Sequence, residues 1–196
     1  MKPIHRKLRE LAAPYLDTRH NDVHTDSSVE FAYKLLEMEG GDEDIVIPAV
    51  ILHDVGWKMV SEDMQLKAFG PNAIYPDLNR VHEVEGAKIA EEILRAAGYE
   101  DGRIPEIVEI IEGHDSRLEP LSLNDKIVKD SDKLYRYTND AFHTNMKRFG
   151  HSADKYLERL RIHLSIWLNT DSGKKMAREE LRDREQEVKA LLFKAG

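Results

Sequence analysis

The run IVIPAVILHD, residues 45–54, holds eight uncharged residues in a row and then delivers a histidine and an aspartate. Asp42 or Asp44 can cap a helix ahead of it, and Pro48 falls in the first turn, where a backbone N–H has no intrahelical partner to lose. A helix apolar on every side belongs in a core, so the spacing predicts a central buried helix from Ile45 to about Val55. His53 continues the stripe of Val46, Ala49 and Val50, and Asp54 lies one turn beyond Val50. A carboxylate carried that deep is costly without ionic or hydrogen-bonding partners, and metal ligation is the economical way to supply them.

Outward from this run the periodicity stays helical. Helices are predicted over Pro3–Leu16, Asp22–Met38, Val81–Ala97, Pro105–Glu112, Leu123–Arg148, Ser152–Leu168 and Ser172–Lys194, with Gly40-Gly41, Gly98, Gly113 and Gly150 as stops. No strand signal or repeat stands out, so the expected fold is an all-α single-domain helical bundle. From Lys58 to Asn79 the pattern fails around Gly70-Pro71 and Pro76. The stretch reads as one long connection, a lid whose Phe69, Ile74 and Tyr75 would close over a site.

Composition narrows the chemistry. The 196 residues suit one domain with a sizeable core. There is no cysteine, which removes disulfides, thiolate metal sites and a thiol nucleophile, and leaves histidines and carboxylates to bind any metal. Net charge is −8 with no basic stripe, which argues against general nucleic-acid binding. No apolar run approaches the roughly 20 residues of a membrane span. The basic start has no apolar stretch behind it, so the expectation is a cytoplasmic protein. A small anionic substrate remains compatible, because a bound divalent metal sets its own local field.

His-Asp occurs twice, at His53-Asp54 and His114-Asp115, and with nine histidines and many aspartates one pair is expected by chance. His24 borders the apolar face of Phe31, Leu35 and Leu36. On the helix from Leu123, Ile127, Val128, Leu134 and Tyr135 define a buried face that Asp130 and Asp132 flank at equal angles, so periodicity does not choose between them. His82 opens one helix and His114 closes another, positions from which side chains can converge. His5, His20, His143, His151 and His163 have no such context and read as surface or boundary residues.

The order His24, His53-Asp54 and a late helical aspartate resembles the HD-domain superfamily of metal-dependent phosphohydrolases, over roughly residues 20–140. AVILHDVGW (49–57) is similar to that family's apolar run into His-Asp-x-Gly. KIVKDSDKLYRY (126–137) resembles the segment in which the second Asp of an Asp-x-Asp is the ligand, which favours Asp132 over Asp130. HEVEGAKIAEEIL (82–94) and IVEIIEGHD (107–115) match positions where two-metal branches place further histidines. The resemblance therefore implies metal ligands His24, His53, Asp54 and Asp132, with His82 and His114 for a second ion and Asp54 as the bridge. Many members carry Lys directly after His-Asp-x-Gly. Here Trp57 stands there and Lys58 is displaced by one.

Imidazoles and carboxylates together suit a divalent transition metal, among Mn, Fe, Co, Ni or Zn. The expected function is phosphohydrolysis of a small phosphorylated metabolite or nucleotide. Asp54 and Asp115 serve the reacting water or leaving group, and Lys133, ahead of Lys129 and Arg136, contacts phosphate. Two alternatives share the sequence: an HD-fold di-iron oxygenase using the same six ligands, and a non-catalytic ligand-sensing HD domain, which would ordinarily have lost some of them.

Overall fold

The computed structural model describes residues 1–68 and 73–195. Among these residues ten α-helices and one 3-10 turn follow one another: α1 (Pro3–Leu16), α2 (Asn21–Glu39), α3 (Glu43–Leu52), the 3-10 turn (Val55–Met59), α4 (Glu62–Ala68), α5 (Asp77–Ala97), α6 (Ile104–Glu112), α7 (Leu123–Tyr135), α8 (Asn139–Phe149), α9 (Ala153–Trp167) and α10 (Asp171–Ala195). No strand occurs among the described residues. The fold is all-α.

The apolar run forms the centre, as its composition requires. Asp42 caps α3 by accepting the Asp44 N–H, and every residue from Ile45 to Leu52 is buried. α1, α2, α6 and α7 pack around it. The helix is shorter than the periodicity implied. It stops at Leu52, with His53 as its C-cap, and the chain tightens into the 3-10 turn. That break puts Asp54 at φ −105°, ψ 6°, off the helical path, and turns its side chain away from the direction a continued helix would give.

Two other segments depart from expectation. The helix predicted from Leu123 to Arg148 is two helices. Thr138 adopts extended angles (φ −65°, ψ 159°) and its hydroxyl accepts the Ala141 N–H, a capping signal that sits in Thr138-Asn139-Asp140. The break redirects α8 so that Thr144, Asn145 and Arg148 face the same cavity as Asp132 and Tyr135.

The segment expected to be one long structureless lid is largely folded. The 3-10 turn and α4 occupy its first half, and α5 begins at Asp77. Gln65 explains why α4 holds without an apolar stripe: it is buried and donates to the carbonyls of Trp57 (2.9 Å) and Val60 (2.7 Å). Trp57, Val60 and Ala68 form a small apolar cluster beneath it. Ile74 and Tyr75 are exposed, and Phe69 lies outside the described residues.

Candidate metal centre

Five elements deliver six side chains to one place. His24 comes from the first turns of α2, and His53 and Asp54 from the end of α3. His82 comes from α5, His114 from the turn after α6, and Asp132 from α7. His24 Nε2 stands 3.0 Å from His53 Nε2 and 3.3 Å from Asp132 Oδ1. His82 Nε2 stands 3.3 Å from His114 Nε2. Between the two pairs lies the Asp54 carboxylate. Its Oδ2 is 3.5 Å from His24 and 3.6 Å from His53, while its Oδ1 is 3.7 Å from His82 and 3.6 Å from His114. One oxygen faces each pair.

These separations suit shared cations. Ligands about 2.0–2.2 Å from one ion, at tetrahedral or octahedral angles, stand about 3.0–3.5 Å from each other. Tautomers strengthen the argument. His53 Nδ1 meets the Val50 carbonyl at 2.7 Å and His114 Nδ1 meets that of Ile111 at 2.8 Å. Each neutral ring must donate there, which leaves its Nε2 with a bare lone pair aimed at another imidazole nitrogen. A proton or a metal ion has to fill each gap. His53, His82, His114, Asp54 and Asp132 are all buried and His24 nearly so, so water does not screen them.

The chain's own charges already respond to this crowding. Burial opposes ionisation of Asp54, yet His53, His114, His24 and His82 outweigh it and hold the carboxyl well below its usual range. Burial pushes the His82 imidazole down to about 4, with His114 adding to the effect. Burial also penalises charged His114, but the Asp54 hydrogen bond and the Asp115 charge prevail and push it up to about 9. Within that pair, the metal-free site keeps its proton on His114.

Neighbouring groups fix the six. Gly56 brings the 3-10 turn against α5: a Cβ there would lie 1.9 Å from the His82 carbonyl oxygen and 2.5 Å from the Gly86 nitrogen. Trp57, directly after His53-Asp54-Val55-Gly56, donates its indole N–H to Asp54 Oδ1 (3.1 Å) and stacks on His82 with ring centroids 4.1 Å apart. Sequence reasoning missed this residue. Its place four residues after His53 and three after Asp54 was the available signal, but nothing in one sequence says that an indole will do this. The Arg19 guanidinium lies 4.5 Å over the same indole, carried by a turn in which Arg19 and His20 both take left-handed angles. Lys58 is exposed.

Asp115 lies beside the second pair, 3.9 Å from His82, and pairs with Lys133, which also pairs with Asp132. Buried Glu83 accepts the backbone N–H of both Asp115 and Ser116 at 2.8 Å and so anchors that turn. Lys129 serves the same turn from the other side, donating to the carbonyls of Gly113, His114 and Arg117. It is a structural pin, and its expected reach to phosphate is spent. Asp130 points away from the centre, accepting from Asn169 and Thr170 at the start of α10. His5, expected near the surface, is fully buried against Glu43 and Asp44.

Three of the six, His24, Asp54 and Asp132, line a cavity of about 220 Å³, whose wall also includes Arg19, Asn79, Tyr135, Arg136 and Arg148. No helix among the described residues is long and apolar enough to cross a membrane.

The chain is similar to a crystal structure described as a predicted HD superfamily hydrolase from an uncultured Thermotogales bacterium, with a TM-score of 0.65 and 23% sequence identity, covering 98% of this chain and 91% of that one. At that identity the likeness concerns the fold. A search of curated proteins gave no match. Residues 22–137 match the family model described as HD domain, a span that contains all six converging side chains and more than half of the sequence, and the chain belongs to the HD-domain family.

Proposed function

We propose that the protein is a metal-dependent phosphohydrolase acting on a small phosphorylated metabolite or nucleotide. The observation that carries the reading is the Asp54 carboxylate, with one oxygen turned to His24 and His53 and the other to His82 and His114. In this reading His24, His53, Asp54 and Asp132 would hold one divalent transition metal, and His82 and His114, with the second Asp54 oxygen facing them, would hold another. A bound divalent metal supplies Lewis acidity and lowers the pKa of water from 15.7 toward about 7, so that hydroxide is available at neutral pH.

The surrounding residues then divide the remaining work. Asp115, anchored by Glu83 through its backbone and by Lys133 through its side chain, orients the attacking water or serves the leaving oxygen. Lys133 uses two of its three N–H groups on Asp115 and Asp132, which leaves one for a phosphoryl oxygen. Arg19, Arg136 and Arg148 line the cavity and favour an anionic substrate. The same six ligands would serve two irons and dioxygen; the three guanidiniums in the wall speak for an anionic substrate, which a phosphorylated compound supplies.

The test is phosphate release from a panel of phosphorylated metabolites by protein loaded in turn with Mn, Fe, Co, Ni or Zn. Activity is expected, and Asp54→Ala should abolish it together with bound metal while helix content persists. Full metal occupancy without release from any compound, alongside dioxygen consumption by the iron form, would replace the hydrolase with the oxygenase.

A further inference from the structure

A second cavity, of about 450 Å³, adjoins the first and shares Asn79, Asp115 and Arg136 with it. Its far wall comes from α9, beyond the span that matches the family, and includes Tyr156, Arg159 and Trp167. Five lysine and arginine side chains line it, and three are already committed. Lys129 holds backbone carbonyls, Lys133 pairs with Asp115 and Asp132, and Arg117 bonds to Asp125 and the Glu109 carbonyl.

Arg136 and Arg159 are different. Their guanidinium carbons lie over the Trp167 ring, 5.4 and 5.7 Å from its centroid. Neither makes an ion pair with a carboxylate among the described residues, and the buried Nε of Arg136 has no hydrogen-bond partner there. Burial holds Arg159 below its usual range, and the charge of Arg136 adds to the effect. Burial disfavours both charges; the carboxylates of Asp132, Asp115 and Asp54 offset that cost for Arg136 through space, whereas Arg159 is left with the neighbouring Arg136 charge against it. The indole face holds the planar groups by cation–π attraction, leaving their N–H edges for an acceptor.

We propose that Arg136 and Arg159, spread over Trp167, form a subsite for a second phosphate, so that the substrate is a small molecule carrying two separated phosphates. This rests on the hydrolase reading for the reaction but not for the binding. Water adds to the phosphorus and gives up a proton, the ester P–O bond breaks, the alkoxide leaving group takes up that proton, and inorganic phosphate is released. The second phosphate stays esterified and serves as a handle. Guanidinium forks match phosphate oxygens two at a time, which gives the handle both orientation and affinity.

The experiment separates binding from turnover. Inorganic phosphate is titrated into metal-free protein, followed by calorimetry, for the wild type, Arg159→Gln and Arg159→Lys. The wild type is expected to bind, Arg159→Gln to bind about tenfold or more weakly, and Arg159→Lys to fall between, because a charge-assisted pair is lost or reduced. The melting temperature of Arg159→Gln should hold or rise, since an uncompensated cation has gone. In metal-loaded protein, Arg159→Gln should raise KM for bisphosphorylated compounds and leave KM for monophosphates unchanged. Phosphate binding that is absent in the wild type, or equal in all three proteins, overturns the subsite. Arg159-dependent phosphate binding without hydrolysis of any phosphate ester supports the subsite and overturns the hydrolase instead.

Discussion

Gly56 lies against the backbone carbonyl of His82 so closely that a methyl group on its Cα would stand 1.9 Å from the oxygen. Nothing flexible is there to yield, because the next atoms are the backbone of Gly86. The glycine that follows His53-Asp54 is therefore what lets α5 approach the end of α3 and bring His82 within 3.7 Å of Asp54. Gly56→Ala should push α5 outward and destabilise the protein by about 1–3 kcal/mol, the usual range for overpacking a close contact. It should also lower metal content, because His82 retreats with its helix. Thermal denaturation and elemental analysis of the same preparation check both. A variant of unchanged stability that keeps all its metal would show that the approach is not needed.

Asp130 and Asp132 are two residues apart on α7 and have opposite duties. Asp132 reaches His24, whereas Asp130 takes four hydrogen bonds from Asn169 and Thr170 and ties α7 to the start of α10. Gly173 closes over that junction, where a Cβ would lie 2.5 Å from Asp130 Oδ2. Asp130→Ala should cost about 2–5 kcal/mol, since it strips a buried carboxylate from partners that water cannot replace, and should leave metal binding intact. Asp132→Ala should lose metal, and because its carboxylate is buried against Lys133 and His24 it should cost the metal-free fold stability as well. Chemical denaturation and metal counting on the two variants test the division. Metal loss from Asp130→Ala in a protein that is still folded would reverse the assignment.

The pair also shows what one sequence can and cannot reveal. The depth of His53-Asp54 was legible because eight uncharged residues leave a helix nowhere to go but the core. The choice between Asp130 and Asp132 was not legible in the periodicity, because both flank the buried face equally and Asp130's partners arrive from about 40 residues further on; the family resemblance made it, in favour of Asp132. The break at Thr138 was written in a capping triplet but masked by apolar residues on both sides of it. α4 escaped notice because a buried glutamine, not an apolar stripe, holds it in place. His82 and His114 could be proposed from resemblance. The distances between their nitrogens, and the even division of the Asp54 oxygens, needed the fold.

Metal uptake should release protons. In the metal-free protein His114 is pushed up to about 9, so at pH 7.5 it is charged and a metal must displace its proton. His82 is pushed down to about 4 and contributes none. Affinity for the ion at this pair should fall about tenfold for each pH unit below about 9. Calorimetry in buffers of different ionisation enthalpy should find about one proton released per ion there. The sign for folding is opposite. A raised histidine pKa stabilises the metal-free fold below the unfolded value near 6.5, and that contribution is lost as pH rises through about 9. Metal affinity that is flat from pH 7 to 9 would contradict the protonated pair.

Trp57 supplies the last prediction, because it acts on the centre in two separable ways. Its N–H bonds to Asp54 Oδ1, the oxygen that faces His82 and His114, and its ring face stacks on His82. The stack matters because His82 Nδ1 is buried and has no hydrogen-bond partner among the described residues. His53 and His114 are oriented by carbonyls, and His82 has the indole instead. Trp57→Phe keeps a ring and removes the N–H. It should weaken binding of the ion at His82 and His114 by about 10-fold, the lower end for loss of a group that orients a ligand, with the fold sound. Trp57→Leu removes both effects and the surface beneath Arg19, so it should weaken that ion about 100-fold and also cost stability. Titration against a competing chelator reads the two affinities, and the ion at His24, His53 and Asp132 is the internal control. Equal losses in the two variants would mean that the hydrogen bond alone matters. A loss in Trp57→Leu with none in Trp57→Phe would leave the stack as the sole orienting contact.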